Sequence, residues 1–361
     1  MIERLYTPLK LVHHHERLEE LRIHGFTQTP VDVQFDLTGR CNYDCPWCYF
    51  VHGVRYDNGE GVRDPSQDLE TEWVLTIFQE LQEMGVQGIE ITGGGEPLLH
   101  RQAPTIFADA VSRFHVGTIT NGSLLGRLPD DTLRRVTWVR VSLNSGSEDC
   151  FRAIHHIQSA KTAREYRRRV LENLQRAAAL HGPEVTVQYC VSSQNWWPEE
   201  LRQCVEICRD LGVQQVRFST VTTKETNLIL TAEQRAQVDE TLTLLGAEYP
   251  GHSTFSVLNL FTERNRSEIQ GPHRHERCLF QNFVGVIGAD YILYACCHTK
   301  YMHRFAIGDL RTTSFRELWT GDRVGFIARL SPKTACPPCW MRPKNDLLEY
   351  ILTDDPQTSF P

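Results

Sequence analysis

Nowhere in the 361-residue sequence do apolar residues run on for the roughly 18 positions that a membrane-spanning helix needs. The amino terminus, MIERLYTPLKLVHHHERLEE, also lacks the apolar stretch of a secretory signal, so a cytoplasmic protein with no membrane partner is expected. Positive charge is in short supply: 38 Lys and Arg stand against 45 Asp and Glu, a formal net charge of -7. Proteins that grip a phosphate backbone usually carry a basic face, so no nucleic-acid partner is expected. Neither a repeat at solenoid periods nor a low-complexity segment is present, which sets aside repeat and disordered architectures. What the chain does have is cysteine, twelve of them, and in a reducing compartment that number points to metal ligands or redox chemistry rather than disulfides.

The length suits one large α/β domain or a barrel with an appendage. Apolar residues alternate through Val31, Val33, Phe35 and Leu37 with the period of a strand. Trp73, Ile77, Leu81 and Met84 then recur on one face of a helix that Gly85 closes as a C-cap. The strand GIEIT follows, and the exchange repeats with strands near 117–120, 138–143, 185–191 and 213–219, six in all. Strands alternating with amphipathic helices imply right-handed βαβ units and a parallel sheet, open or curled into an incomplete barrel. The sequence TAEQ opens a helix at Thr231 with a capping box, and the aperiodic stretch from about 249 to 267 reads as a domain boundary. The expected layout is a helical extension over 1–30, the α/β domain over 31–248 and a cysteine-bearing tail over 249–361, where a second capping box, SFRE, starts a short helix at Ser314. Cys204 and Cys208 share the apolar face of LRQCVEICRDL with Leu201, Val205 and Leu211, so packing explains them. Trp196 and Trp197, just before Pro198 and Glu199, fit a hydrophobic staple at a helix start, and His13 to His15 fit a solvated helix face.

Three cysteines crowd into LTGRCNYDCPWCYF: Cys41, Cys45 and Cys48, at the carboxyl end of the first strand. A four-iron cluster is normally held by four thiolates, one per iron, so a loop with three leaves one iron open for a substrate or cosubstrate. The simpler alternative is zinc, held by Cys45 and Cys48 with a distant pair such as Cys336 and Cys339, which leaves Cys41 without a role. At the corresponding end of the next unit, GIEIT runs into GGGEPLL. Glycines let the backbone approach a ligand closely, Glu96 adds an acceptor, and the strip is suited to an ammonium group.

Together these motifs resemble the radical S-adenosylmethionine superfamily, whose loop is matched by Cys41, Cys45, Trp47 and Cys48 and whose GGE motif by Gly94, Gly95 and Glu96. The resemblance spans about residues 31 to 220 and implies a partial (β/α)6 barrel of the TIM type. It further implies that the open iron of a 4Fe-4S cluster chelates the amino and carboxylate groups of S-adenosylmethionine. One electron then breaks the sulfonium C–S bond, and the resulting 5'-deoxyadenosyl radical takes a hydrogen atom from substrate. By the same resemblance Trp47 lies against the adenine, the alternative being a core tryptophan, and Ser142, Asn144 and the weaker match Asn121 meet the ribose or methionine carboxylate.

Cys278, Cys296, Cys336 and Cys339 are separated by seventeen, thirty-nine and two residues, and four thiolates complete a cluster shell. This tail resembles the truncated "twitch" form of the SPASM domain, with YILYACC as its hairpin, IGDLRTTSFRELW as its turn and helix, and CPPC as its closing pair. That likeness implies one auxiliary 4Fe-4S cluster, two clusters in total, whereas the zinc alternative would use the same four thiols. The absence of cysteine from WMRPKNDLLEYIL argues against a third cluster. Cys297 is a substitute ligand, a spectator or a hydrogen donor to a product radical, with Cys190 as a second donor candidate. His273, His275 and His298 read as polar surface residues. The expected function is hydrogen abstraction from an unactivated C–H bond, as an oxidation in the biosynthesis of a small molecule, with flavodoxin or ferredoxin as reductant. The alternatives are a peptide-modifying maturase or epimerase with a peptide partner, and a non-catalytic zinc or iron-sulfur scaffold.

Overall fold

The computed structural model of the chain describes residues 7–52, 62–223, 225–251, 254–264, 273–354 and 356. All six expected strands are present: β1 (Asp32–Asp36), β2 (Gly88–Thr92), β3 (His115–Thr120), β4 (Trp138–Ser142), β5 (Glu184–Val191) and β6 (Gln215–Thr220). Each lies parallel to the next. Helices connect them, and the helix Thr71–Met84 shows why: Val74, Ile77, Phe78, Leu81 and Met84 form one buried stripe, and Gly85 ends it at φ 82°. Phe78 meets Phe35 of β1 edge to face, with ring centroids 5.2 Å apart. Burying each such ring is worth about 2–3 kcal/mol against leaving it in water.

Because strand side chains alternate, Val33 and Phe35 facing the helices put Asp32, Gln34 and Asp36 on the opposite face. The same holds for Glu90 on β2, Arg140 and Ser142 on β4, and Gln188 and Cys190 on β5, whose apolar neighbours Ile89, Ile91, Val139, Val141, Val187 and Tyr189 join the core. Sheets of parallel strands are usually apolar on both faces. Here the face turned away from the helices, which in a partial barrel is the lumen side, is polar, as in the hydrogen bond from Gln34 Nε2 to Glu90 Oε2 (3.2 Å).

Two further parallel strands, not read from the sequence, extend this sheet. β7 (Ser256–Asn259) pairs with β6, inside the stretch expected to separate two domains, and β8 (Val284–Ile287) pairs with β1. The antiparallel β9 (Ile292–Tyr294) and β10 (Ala306–Asp309) follow, so that among the described residues one sheet runs β10-β9-β8-β1-β2-β3-β4-β5-β6-β7. The tail is thus built onto the edge of the strand that leads into the three-cysteine loop. It also grips the outside of the barrel. Trp319 Nε1 donates to Thr27 O (2.9 Å), and Glu80 accepts the backbone N–H groups of Phe315 and Arg316. Both expected capping boxes, Thr231 with Gln234 and Ser314 with Glu317, are formed. No helix among the described residues is long and apolar enough to cross a membrane.

Candidate active site

β1 delivers its loop directly against the glycine strip that follows β2. Gly95 N–H donates to Thr38 O (3.2 Å) and Glu96 N–H to Arg40 O (2.7 Å). A Cβ on Gly95 would stand 1.9 Å from Arg40 O, so only glycine permits this approach. A Cβ on Gly94 would meet the Tyr301 hydroxyl at 2.6 Å and the Arg63 side chain at 3.1 Å. Cys41, Cys45 and Cys48 are all half-buried and free of disulfides. Burial, with the nearby Glu96 carboxylate and Cys48, pushes the Cys41 thiol up to about 11, and burial with the neighbouring cysteines raises Cys45 well above its usual range. Cys41 and Cys45 are therefore protonated without metal, and a positive centre would take the place of their protons.

Side chains that the sequence reading missed hold this loop. Arg63 Nε donates to Gly39 O, and its Nη1 lies 3.7 Å from Cys48 Sγ, bringing a guanidinium to the thiols. His155, fully buried on the helix Glu148–Ile154's C-cap, sets Nδ1 3.1 Å from Cys45 Sγ while its Nε2 approaches Leu143 O at 3.1 Å. Burial lowers its pKa to about 4, so the ring is neutral. Only its position in the fold reveals it, 110 residues from the cysteine it touches.

The residues expected to meet S-adenosylmethionine are brought to the same rim. Glu96 is 2% exposed, and its carboxylate already accepts from Leu98 N–H (3.1 Å), Thr120 Oγ1 (2.7 Å) and Asn121 N–H (2.7 Å). A carboxylate has about four acceptor positions, so one remains. Asn121 spends its side chain on Asn42 Oδ1 (2.7 Å) and Ser123, tying the cysteine loop to β3. Asn144 adopts φ 57° and accepts from Cys190 N–H (2.8 Å), bridging the tips of β4 and β5, while Ser142 faces the lumen. Trp47 belongs to a buried cluster with Cys150, Ile154 and Leu228, against which Cys45, Cys190 and Trp197 pack. Trp197 thus borders the same cluster as Trp47, and Cys190 stands close enough to raise the pKa of Cys45.

A second site lies in the tail. Cys278, Cys296, Cys336 and Cys339 line one cavity, together with His273, His275 and His298. The three histidines were expected at the surface, and this is corrected: they are buried, the first two 8% and 6% exposed, because the loops bearing them fold inward around the cysteines. Cys297 is not among the cavity-lining residues; it packs against the cluster of Val286, Tyr294 and Tyr301, with its thiol in hydrogen-bond reach of Cys296 and His298. Among the described residues no three Cys, His, Asp or Glu side chains converge on a single ion-ligating point. The thiols ring a space.

A family model described as the Radical SAM superfamily matches residues 35–205, which contain the end of β1, the loop, the glycine strip and β2 to β5. Residues 35–205 are a radical SAM domain. The chain is 22% identical over 350 residues, 90% of each chain, to the tungsten-containing aldehyde ferredoxin oxidoreductase cofactor-modifying protein of Pyrococcus furiosus. It is 25% identical over 197 residues to the PqqA peptide cyclase of Granulibacter bethesdensis, covering 54% of this chain and 48% of that one. Among solved structures, Streptococcus suis SuiB bound to S-adenosylmethionine superimposes with a TM-score of 0.65 at 12% identity, over 98% of this chain and 82% of that one. SuiB bound to its precursor peptide SuiA gives 0.64 at 11% identity, over 99% and 81%. The likeness to SuiB establishes the fold, a radical SAM partial barrel. The radical SAM domain makes the protein an enzyme and brings with it one 4Fe-4S cluster and S-adenosylmethionine. The radical SAM loop fits both: three thiols with a guanidinium beside them, against a strip where only glycine can stand.

Proposed function

We propose that Cys41, Cys45 and Cys48 hold the 4Fe-4S cluster of the radical SAM reaction, that the tail cavity ringed by Cys278, Cys296, Cys336 and Cys339 holds a second, and that the enzyme oxidises an unactivated C–H bond of an organic substrate in the barrel lumen. When reduced, by flavodoxin or ferredoxin in this reading, the first cluster supplies one electron that breaks the C–S bond of S-adenosylmethionine and so provides the hydrogen-abstracting 5'-deoxyadenosyl radical. The strip Gly93 to Gly95 offers backbone carbonyls to the methionine ammonium, and Glu96 braces that strip from below. Trp47 closes the adenine side, and Ser142 with Asn144 presents polar atoms to the ribose or carboxylate. The polar lumen face, Gln34, Glu90, Arg140 and Gln188, orients a substrate rich in hydrogen-bonding groups. In this oxidation the substrate would give up a hydrogen atom to the 5'-deoxyadenosyl radical, a proton to solvent and its remaining electron to the second centre. In a redox-neutral reaction the substrate radical would instead regain a hydrogen atom from a thiol, for which Cys297 and then Cys190 are the candidates.

One observation carries this reading: four thiols distant in sequence line a single cavity in the segment that pairs with β1. A second reading, a peptide-modifying enzyme, draws support from the likeness to the PqqA peptide cyclase and from the SuiB fold, which is solved with a peptide. Co-purification of a small precursor peptide favours it. The test of the main reading is 5'-deoxyadenosine formation by the reconstituted, reduced protein, abolished when Cys41, Cys45 and Cys48 are all replaced by alanine. Unchanged yield in that variant overturns it.

A further inference from the structure

We propose that the auxiliary centre is not held by thiolates alone: His273 enters its iron shell through Nδ1, beside three of the four cavity cysteines. The inference rests on the reading that the tail cavity holds an iron-sulfur cluster. His273 Nε2 lies 2.7 Å from Pro337 O, in the loop between Cys336 and Cys339. A carbonyl only accepts, so the ring proton sits on Nε2 and donates to it. The other nitrogen, Nδ1, then carries a bare lone pair. That atom is buried, has no hydrogen-bond partner among the described residues, and belongs to a ring that lines the cavity with the four cysteines. A buried acceptor without a donor is costly, and proteins rarely leave one without a purpose. Metal-binding histidines show this very pattern, one nitrogen fixed by a backbone carbonyl so that the other points at the metal.

The neighbouring histidines lack that combination. His275 Nδ1 also lacks a hydrogen-bond partner among the described residues, but it stands 3.9 Å from an Asp346 carboxylate oxygen, and no carbonyl of the described residues meets its Nε2 to aim it. His298 packs tilted at 55° on Trp340 with ring centroids 4.0 Å apart, and its backbone N–H donates to Cys296 Sγ (3.4 Å), so the residue already supports a cysteine. His273 and His275 meet edge to face, with centroids 5.2 Å apart, which holds the His273 ring in place. An imidazole in place of a thiolate removes negative charge from the shell and raises the reduction potential, as histidine does in Rieske centres. A centre that must take an electron from a substrate radical gains from that change.

The experiment uses the full chain, reconstituted anaerobically, with pulsed EPR on protein grown with 15N-labelled histidine. A directly coordinated histidine nitrogen on one of the two centres is expected, lost in His273→Asn and kept in His275→Asn. His273→Cys is expected to keep the full iron content while lowering the potential of that centre alone. A coupling that survives in His273→Asn, or no coordinated nitrogen in a wild-type protein holding two clusters, overturns the proposal. Iron content separates this failure from that of the underlying reading: roughly eight irons per chain confirm two clusters, whereas roughly four, or stoichiometric zinc in the tail, remove the auxiliary cluster itself.

Discussion

At the scale of single residues, the radical SAM site depends on atoms that are absent. Gly95 has its neighbour's carbonyl where a Cβ would go, 1.9 Å from Arg40 O, so Gly95→Ala must push the cysteine loop off the strip. A shift of about 1 Å in a reacting geometry can cost about 10²-fold in rate. That loss of 5'-deoxyadenosine formation is expected, with unchanged circular dichroism, and a fully active variant would show that the two loops move independently. Glu96 makes a different prediction, on stability. Burial raises its carboxyl from 4.5 to about 7 in the fold. The folded chain therefore holds a proton that the unfolded chain has released between these values, and stability falls as pH rises through that window and is level above it. Against the non-titrating Glu96→Gln, metal-free protein should lose up to about 3 kcal/mol between pH 4.5 and 7. Urea midpoints for the pair across this range check the sign, and a wild type that gains stability relative to Glu96→Gln as pH rises would mean that the three donors to Glu96 outweigh its burial.

At the scale of elements, the turn after β9 reaches back into the barrel. Lys300 Nζ pairs with Asp36 Oδ1 at 2.7 Å, Tyr301 Oη donates to Asp36 Oδ2 at 2.7 Å, and all three side chains are buried. Tyr301 holds φ 64°, a left-handed conformation unfavourable for its side chain, so the turn is kept in place by these contacts. Lys300→Met leaves a buried carboxylate without its cation, and a loss of about 3–5 kcal/mol is expected in denaturant unfolding. Adding Asp36→Asn should restore part of it, and a double variant no better than the single one would show that the pair is not coupled. This turn was illegible in the sequence, since nothing in CCHTKY marks Lys300 as the partner of a residue 264 positions away. The six strands of the barrel were legible, because apolar residues facing helices alternate with polar ones facing the lumen. β7 and β8 were not, being four residues each and bordered by aperiodic segments. Likewise the cysteine loop and glycine strip announce themselves by spacing. Arg63, His155 and the buried histidines of the tail do not, because single polar residues in loops carry no period.

At the scale of the whole molecule, the two proposed centres sit on one continuous sheet with separable protein ligands. β8 extends the barrel beside β1, and the turn after β9 carries Cys296 toward the tail cavity and Lys300 toward Asp36. Chemistry can therefore be divided between the halves without dividing the fold. Replacing Cys278 and Cys336 by serine removes thiols only from the tail cavity and leaves the loop at Cys41 to Cys48, the glycine strip and the lumen untouched. Iron is expected to fall from roughly eight to roughly four per chain, as one cluster is lost. 5'-Deoxyadenosine should still form, because the thiols and strip assigned to S-adenosylmethionine are intact. Once a substrate is found, its oxidation should fail, since the radical left after hydrogen abstraction has no second centre to receive its electron. If iron content and oxidation both survive the double serine variant, the tail cavity is a structural feature, and the electron must leave the substrate by another route.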